Sequence, residues 1–360
     1  MPQSRSVIIG TGSCIPSLKV PNQAFLERAF FEDYDRPYPP ADTARIVAKF
    51  QEITDIAERR HAPEALVASD LAFEAGTQAL AAAGIDPETL DYLIVAHNFG
   101  DVRAGSRSPD QVPTLAARVK AHLRIANPFC VAYDLPFGCP GWLQAVIQAD
   151  YFLRSGEAKR ALVIGAETLS RVSDPCDRDS LIYADGAGAV VLEAQDHAEP
   201  VGILAHAVRS DTLDHSDLLH MGPSFDPAAE GQDLFIKMKG RKLYEYAIAT
   251  VPGLVRLSLE RAGLTLTDVD KVLIHQANGK MDEAILKRLF RLYGLAEIPA
   301  GVMPMTVSWL GNSSVATVPT LLDLVVKGKL EGQTLSSGDV VVFASVGAGM
   351  HINSVVYRWA

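Results

Sequence analysis

The sequence predicts an α/β fold built from two similar halves, on three observations. Short apolar segments of strand type alternate along the chain with stretches of helical apolar spacing. Local patterns of the first half return in the second half in the same order. Between Val131 and Leu153, strand-type residues give way to helical spacing at a single point, Cys139.

In chain order, Ser6-Val-Ile-Ile-Gly10 reads as a short strand entering a turn over Thr11-Gly-Ser-Cys-Ile-Pro16. Residues 22–68 carry a polar-faced helical pattern, interrupted at Asp35-Arg-Pro-Tyr-Pro-Pro40 because proline cannot continue a helix. The alanine-rich run Ser69 to Ala83 predicts a helix, with Gly84 in the left-handed position past its end. Asp91-Tyr-Leu-Ile-Val-Ala96 is a buried strand, followed by a Gly/Ser/Arg loop over 98–110 and a helix from about Val112 to Leu123. After the Cys139 helix come the strand Ala161-Leu-Val-Ile-Gly165 and a glycine turn into a strand, Asp185-Gly-Ala-Gly-Ala-Val-Val-Leu192.

The repetition is the main organisational signal. Ala82-Ala-Gly84-Ile85 precedes Asp91-Tyr-Leu-Ile-Val-Ala-His97, and Arg261-Ala-Gly263-Leu264 precedes Asp270-Lys-Val-Leu-Ile-His275, with equal glycine-to-aspartate spacing. Ser155-Gly156 with Ala161 to Gly165 is echoed by Ser337-Gly338 with Val340 to Ala344. Gly138-Cys139 before one helix is mirrored by Gly311-Asn312 before a helix over Val315 to Val326. The halves divide near residue 197, as 1–196 and 197–360. A pseudo-two-fold arrangement would bring the Cys139 and Asn312 helix starts together.

Gly138 permits a tight turn, and Pro140 suits a first helical position. Free N–H groups and the positive end of the dipole there favour a thiolate and lower the thiol pKa. On local features the alternatives stay open: a nucleophile, or a small buried apolar residue. With 360 residues, 48% hydrophobic and 21% charged, the composition is that of a globular protein with ample core. A net charge of −10 argues against a nucleic-acid partner, and no apolar run is long enough to span a bilayer. The expected location is cytoplasmic, without a leader peptide. Cys14, Cys130, Cys139 and Cys176 lack metal-type spacing and fit reduced thiols, so no metal site is expected; His215 and His220 stand five apart in an aspartate-containing loop, a poor metal site.

A duplicated chain with a cysteine in its first half and a histidine and an asparagine in its second resembles the thiolase superfamily. It is most similar to the β-ketoacyl-acyl-carrier-protein synthase III branch. Three stretches carry the likeness: Asp134-Leu-Pro-Phe-Gly-Cys139, Ile274-His275-Gln-Ala-Asn278, and Gly311-Asn312-Ser-Ser-Val-Ala-Thr-Val-Pro319. Asp174-Pro-Cys-Asp-Arg178, Tyr183 to Leu192 and Val346-Gly-Ala-Gly349 support it in family order over nearly the whole chain. The resemblance implies a thiolase-like fold, layered αβαβα, and a homodimer. It implies that Cys139 carries an acyl group as a thioester, with the backbone N–H groups of Cys139 and Ala348 holding the oxyanion. His275 and Asn312 would donate to the thioester carbonyl of a malonyl-type substrate, stabilising the enolate left by decarboxylation; a β-ketoacyl-thioester is the other extender the resemblance allows. It further implies Val112, Phe137 and Val346 at the acyl pocket, and Lys280, Lys287 and Arg288 greeting an acyl carrier protein. No cofactor is implied beyond the phosphopantetheine thioesters of coenzyme A or carrier protein that are the substrates.

A degradative thiolase would carry a second cysteine in the C-terminal glycine turn, and Gly347-Ala-Gly-Met-His351 has none. The Trp and Arg with which acetyl-coenzyme A-primed members clamp adenine are missing from Lys49-Phe-Gln-Glu-Ile53-Thr-Asp-Ile56. Val112 stands before Pro113 where the family usually has a large aromatic, which leaves room for a longer acyl chain. Cys139-Pro-Gly-Trp142 resembles specialised ketosynthases of secondary metabolism, such as those forming dialkylresorcinols or alkylquinolones. Two rivals remain: acyl transfer to oxygen or nitrogen by the same residues, and a non-catalytic carrier-binding partner. Basic residues also collect at Lys237-Met-Lys-Gly-Arg-Lys242, while His97 reads as a core histidine and Cys14, Cys130 and Cys176 as structural.

Overall fold

A computed structural model describes residues 3–229 and 231–360. Two mixed sheets dominate it. The strands of the first are β1 (Gln3–Cys14), β2 (Tyr92–His97), β3 (Val131–Pro136), β4 (Arg160–Thr168) and β5 (Asp185–His197). Those of the second are β6 (Gly202–Ser210), β7 (Lys271–Ile274), β8 (Val340–Gly347) and β9 (His351–Arg358). The longer helices are α1 (Thr43–Thr54), α2 (Ala68–Ala83), α3 (Leu115–His122), α4 (Gly141–Ser155), α5 (Gly240–Ala262), α6 (Gly279–Leu292) and α7 (Thr317–Val326).

The sheet orders are β1-β5-β4-β2-β3 and β6-β9-β8-β7. In each, one pair (β2 with β4, β7 with β8) is parallel and the two pairs on one side of it are antiparallel, while β3 adds a second parallel pair to the first sheet. The place that β3 holds in the first sheet is marked in the second by a single backbone bond, Val272 N–H to the Val302 carbonyl at 2.7 Å. Asp91 and Asp270 do the same local work: the carboxylate of Asp91 accepts from the N–H groups of Lys159 and Arg160, and that of Asp270 from Val340. This alignment pairs Arg160 with Val340, so the strand echo read from sequence is one residue out of step.

Helices α4 and α7 lie between the sheets, each touching strands of both; α2 and α3 cover the outer face of the first sheet, and α5, with α6 against it, that of the second. The layering is therefore αβαβα, with one large apolar cluster between the sheets, around Trp142, Leu143, Leu321 and Phe343, and another beneath α5 and α6. Strands β4 and β8 are apolar on both faces because helices cover both.

Three local expectations change. Residues 22–68 are mostly irregular, with α1 alone as a full helix; Leu18–Pro21 pairs with Glu58–His61, and prolines at 21, 37, 39, 40 and 63 break the rest. β1 runs on through the expected turn to Cys14 because β5 pairs with it as far as Ala187. The helix after Asn312 opens as a 3-10 turn, Ser314–Ala316, before α7. Gly84 and Gly263 close α2 and α5 at φ of 64° and 69°, as their positions predict.

Candidate active site

Cys139 follows β3 by a short turn and precedes α4, whose first residue is Gly141, with Pro140 as the cap at φ −73° and ψ 0°. Proline thus stands just outside the helix rather than at its first turn. The Gly138-Cys139 turn meets the Gly347-Ala348 turn backbone to backbone. A Cβ on Gly138 would lie 2.7 Å from the Ala348 nitrogen, and one on Gly347 would lie 2.6 Å from the Cys139 nitrogen. Only glycine permits this approach, which places the Cys139 and Ala348 backbones side by side.

His275 follows β7, its N–H bonded to the Ala344 carbonyl at 2.8 Å. Asn312 is strapped to the first half: its N–H donates to Ile182 O and its carbonyl accepts from Ala184 N–H, both at 2.8 Å. Its side-chain Oδ1 accepts the Ser314 N–H at 2.8 Å, which leaves the NH2 end of the amide uncommitted to the backbone. Cys139, His275 and Asn312 all line one cavity, walled by Leu169, Ile182, Ile236, Met238, Met281 and Val346 among others.

The electrostatics of that cavity are those of an apolar site. Burial pushes the Cys139 thiol up to about 11; the Ser314 hydroxyl, donating to Sγ at 3.2 Å, pulls it down and the Glu167 carboxyl raises it. The lowering expected from the helix start is outweighed by loss of water around the sulfur. Burial alone holds His275 down to about 4, so its imidazole is neutral, and its Nδ1 is buried with no partner. Glu167 is pushed up to about 7 by burial, against the lowering effect of its bonds to Asn98.

Other expected site residues lie elsewhere. Val346 is at the cavity, but Phe137 stacks on His351 with ring centroids 4.4 Å apart and Val112 is 88% exposed; neither lines it within this chain. Both belong to turns whose direction the sequence pattern leaves open. Lys280, Lys287 and Arg288 share α6 with exposed side chains, although Lys280 pairs with Asp55 at 3.2 Å and Lys287 with Glu283 at 3.2 Å. Lys237 is not part of a surface patch: it is buried, paired with Asp174 and Asp177 beneath the Phe225 ring. His97 is buried between Asp134 and the Gly100 N–H, and by position it corresponds to Gln276, not to His275. Asn98 and Ser314 line the cavity and Glu167 stands behind them without being read as site residues from the sequence. The signals were Asn98 beside His97 at a strand end and Ser314 within the Gly311–Pro319 stretch.

Among the described residues, no group of three His, Cys, Asp or Glu is placed to hold a metal ion, and no helix is long and apolar enough to cross a membrane. The family model for 3-oxoacyl-[acyl-carrier-protein] synthase III matches residues 133–212, and that for its C-terminal part matches residues 259–359. A β-ketoacyl-[acyl-carrier-protein] synthase III of Cereibacter sphaeroides is 35% identical over 99% of both chains. This chain belongs to the synthase III family. The synthase III of Aquifex aeolicus has the same fold, with a TM-score of 0.78 at 29% identity over 99% of this chain and 100% of that one. A priming β-ketosynthase of a polyketide pathway superposes with a TM-score of 0.81 at 26% identity, covering 100% of this chain and 98% of that one. The matches to this synthase span both halves, so the Cys139 turn and the Asn312 loop both fall within the family models.

Proposed function

We propose that this synthase joins an acyl group to a malonyl-thioester by decarboxylative Claisen condensation, with Cys139 as the acyl carrier. One observation carries the reading: a sulfur from the first half and an imidazole and a carboxamide from the second share an apolar cavity. In the first step Cys139 Sγ bonds to the acyl carbon, the donor's C–S bond breaks, and the donor thiol leaves with the proton. The adjacent Cys139 and Ala348 N–H groups are suited to hold the oxyanion. In the second step the malonyl C–C bond to the carboxylate breaks and carbon dioxide leaves. The neutral His275 and the Asn312 NH2 are the donors available to the enolate oxygen. The enolate carbon attacks the acyl carbonyl, and the Cys139 sulfur departs.

The aliphatic wall supports medium or long acyl chains over acetyl, and the exposed cations of α6 support a carrier protein as one thioester donor. We take 1–196 and 197–360 as the halves, and the assembly as a homodimer, to which the half-exposed edge strand β3 and the 83%-exposed Phe129 beside it would contribute. Incubation with acyl thioesters of graded length, read by intact mass, tests the first step. Release of labelled carbon dioxide from a malonyl thioester tests the second. Cys139→Ala should give no adduct; His275→Ala and Asn312→Ala should form the adduct and fail to condense. Acylation without carbon dioxide release would instead assign transfer to oxygen or nitrogen, and an adduct surviving Cys139→Ala would end the proposal.

A further inference from the structure

We propose that Asn98, held by the buried Glu167, locks the Ser314 hydroxyl as a permanent donor to Cys139 Sγ, so that the sulfur is aimed and its thiolate stabilised before substrate arrives. The inference rests on Cys139 being the acylated residue. Ser314 Oγ lies 3.2 Å from Cys139 Sγ and 2.9 Å from Asn98 Nδ2. Asn98 Nδ2 lies 2.5 Å from Glu167 Oε2, and the same oxygen accepts the Asn98 backbone N–H at 2.9 Å. Glu167 itself has no exposed surface.

The direction of each bond follows from counting hydrogens. An amide NH2 has two donors and accepts nothing; here one hydrogen goes to Glu167 and the other to Ser314 Oγ. A hydroxyl has one hydrogen. With Asn98 donating into its oxygen, that hydrogen is left for the remaining neighbour, the sulfur. With Glu167 ionised, reversing the Asn98 amide would set its carbonyl oxygen against the Glu167 oxygen, acceptor facing acceptor, and would draw the hydroxyl hydrogen away from Sγ. Glu167 therefore decides the orientation of Asn98, and Asn98 that of Ser314.

Ser314 is itself held in an uncommon conformation, left-handed at φ 53°. The same turn sends its N–H to Asn312 Oδ1, so one residue orients both the nucleophile and the amide across the cavity. Ser314 touches the reacting sulfur; Asn98 and Glu167 are positioning residues. The titratable groups facing Cys139 are Glu167 on β4, Tyr183 before β5 and His275 after β7, with His97 at the end of β2 acting on Glu167. Glu167 acts in opposing senses, its charge disfavouring the thiolate while its bonds orient the donor. The test therefore falls on Asn98 and Ser314.

The measurement is the rate of Cys139 alkylation by iodoacetamide against pH on the full chain, located by adduct mass, with Cys139→Ala as blank. Ser314→Gly keeps the left-handed backbone and removes the hydroxyl. Asn98→Ala and the bulkier Asn98→Leu remove the donor with and without leaving a void. Each should raise the midpoint by about one pH unit, the scale of a hydrogen bond to a charged sulfur. The Ser314→Gly/Asn98→Ala pair should shift no further than Ser314→Gly alone, because both act through one hydroxyl. An unmoved midpoint in the folded Asn98 variants, or in Ser314→Gly if those do not fold, overturns the proposal, as does a double variant whose shift is the sum of the two. Failure of the parent to form an acyl adduct would overturn the function while leaving the alkylation midpoint readable.

Discussion

At Cys139 two influences on one sulfur compete. The start of α4 and the Ser314 hydroxyl favour the thiolate, while the apolar wall favours the thiol and wins, at about 11. Cys139 therefore rests mainly as the thiol, and the Ser314 donor favours the smaller thiolate fraction, which is the reactive form. Its backbone tolerates no displacement: Gly347→Ala would drive a Cβ to 2.6 Å from the Cys139 nitrogen. That substitution should cut the acylation rate on the order of 100-fold, measured by adduct mass over time. His275 makes a prediction of its own. Its folded pKa, about 4, lies below the unfolded value of 6.5, so the unfolded chain binds the proton that the native imidazole refuses. Stability from this group is present above pH 6.5 and is lost as pH falls through the window to about 4. His275→Asn should therefore gain in Tm relative to the parent as pH is lowered from 6.5 to about 4; an unchanged difference would mean that the imidazole is solvated.

At the scale of elements, α6 shows how local pattern and tertiary position combine. Its apolar residues Met281, Ile285, Leu286 and Leu289 pack inward, which turns Lys287 and Arg288 outward. Charge reversal of Lys280, Lys287 and Arg288 to Glu should raise KM for a malonyl-carrier-protein substrate at least about tenfold at low salt, with little change for the coenzyme A thioester. Steady-state kinetics at two ionic strengths would check it, since the parent's advantage should shrink as salt rises. Charge runs in sequence do not distinguish such cations from Lys237, which folding buries against Asp174 and Asp177. Apolar spacing located α2, which buries one face, and α4, which lies between the sheets; outside α1 the 22–68 region has no such burial pattern to read, and its prolines divide it.

At the scale of the whole molecule, α7 ties the halves together. Asp323, buried on α7, accepts from Thr11 Oγ1 at 2.7 Å and Ser13 Oγ at 2.6 Å on β1, and pairs with Lys327 at 2.7 Å. Asp323→Ala would leave two buried hydroxyls and a cation without their acceptor, at a cost of about 3 kcal/mol. A lower urea midpoint with unchanged slope would match that expectation, whereas a stability equal to the parent's would show the bonds to be incidental.

From the residues in order alone, the α/β class, the duplication and Cys139, His275 and Asn312 as candidate site residues could be read, because strand and helix periods and glycine turns are local properties. The Asn98–Ser314–Cys139 chain, the exposed position of Val112 and the raised thiol pKa could not. Each depends on which distant segments meet, and on how much water that meeting excludes, and neither quantity is written in any one stretch of chain.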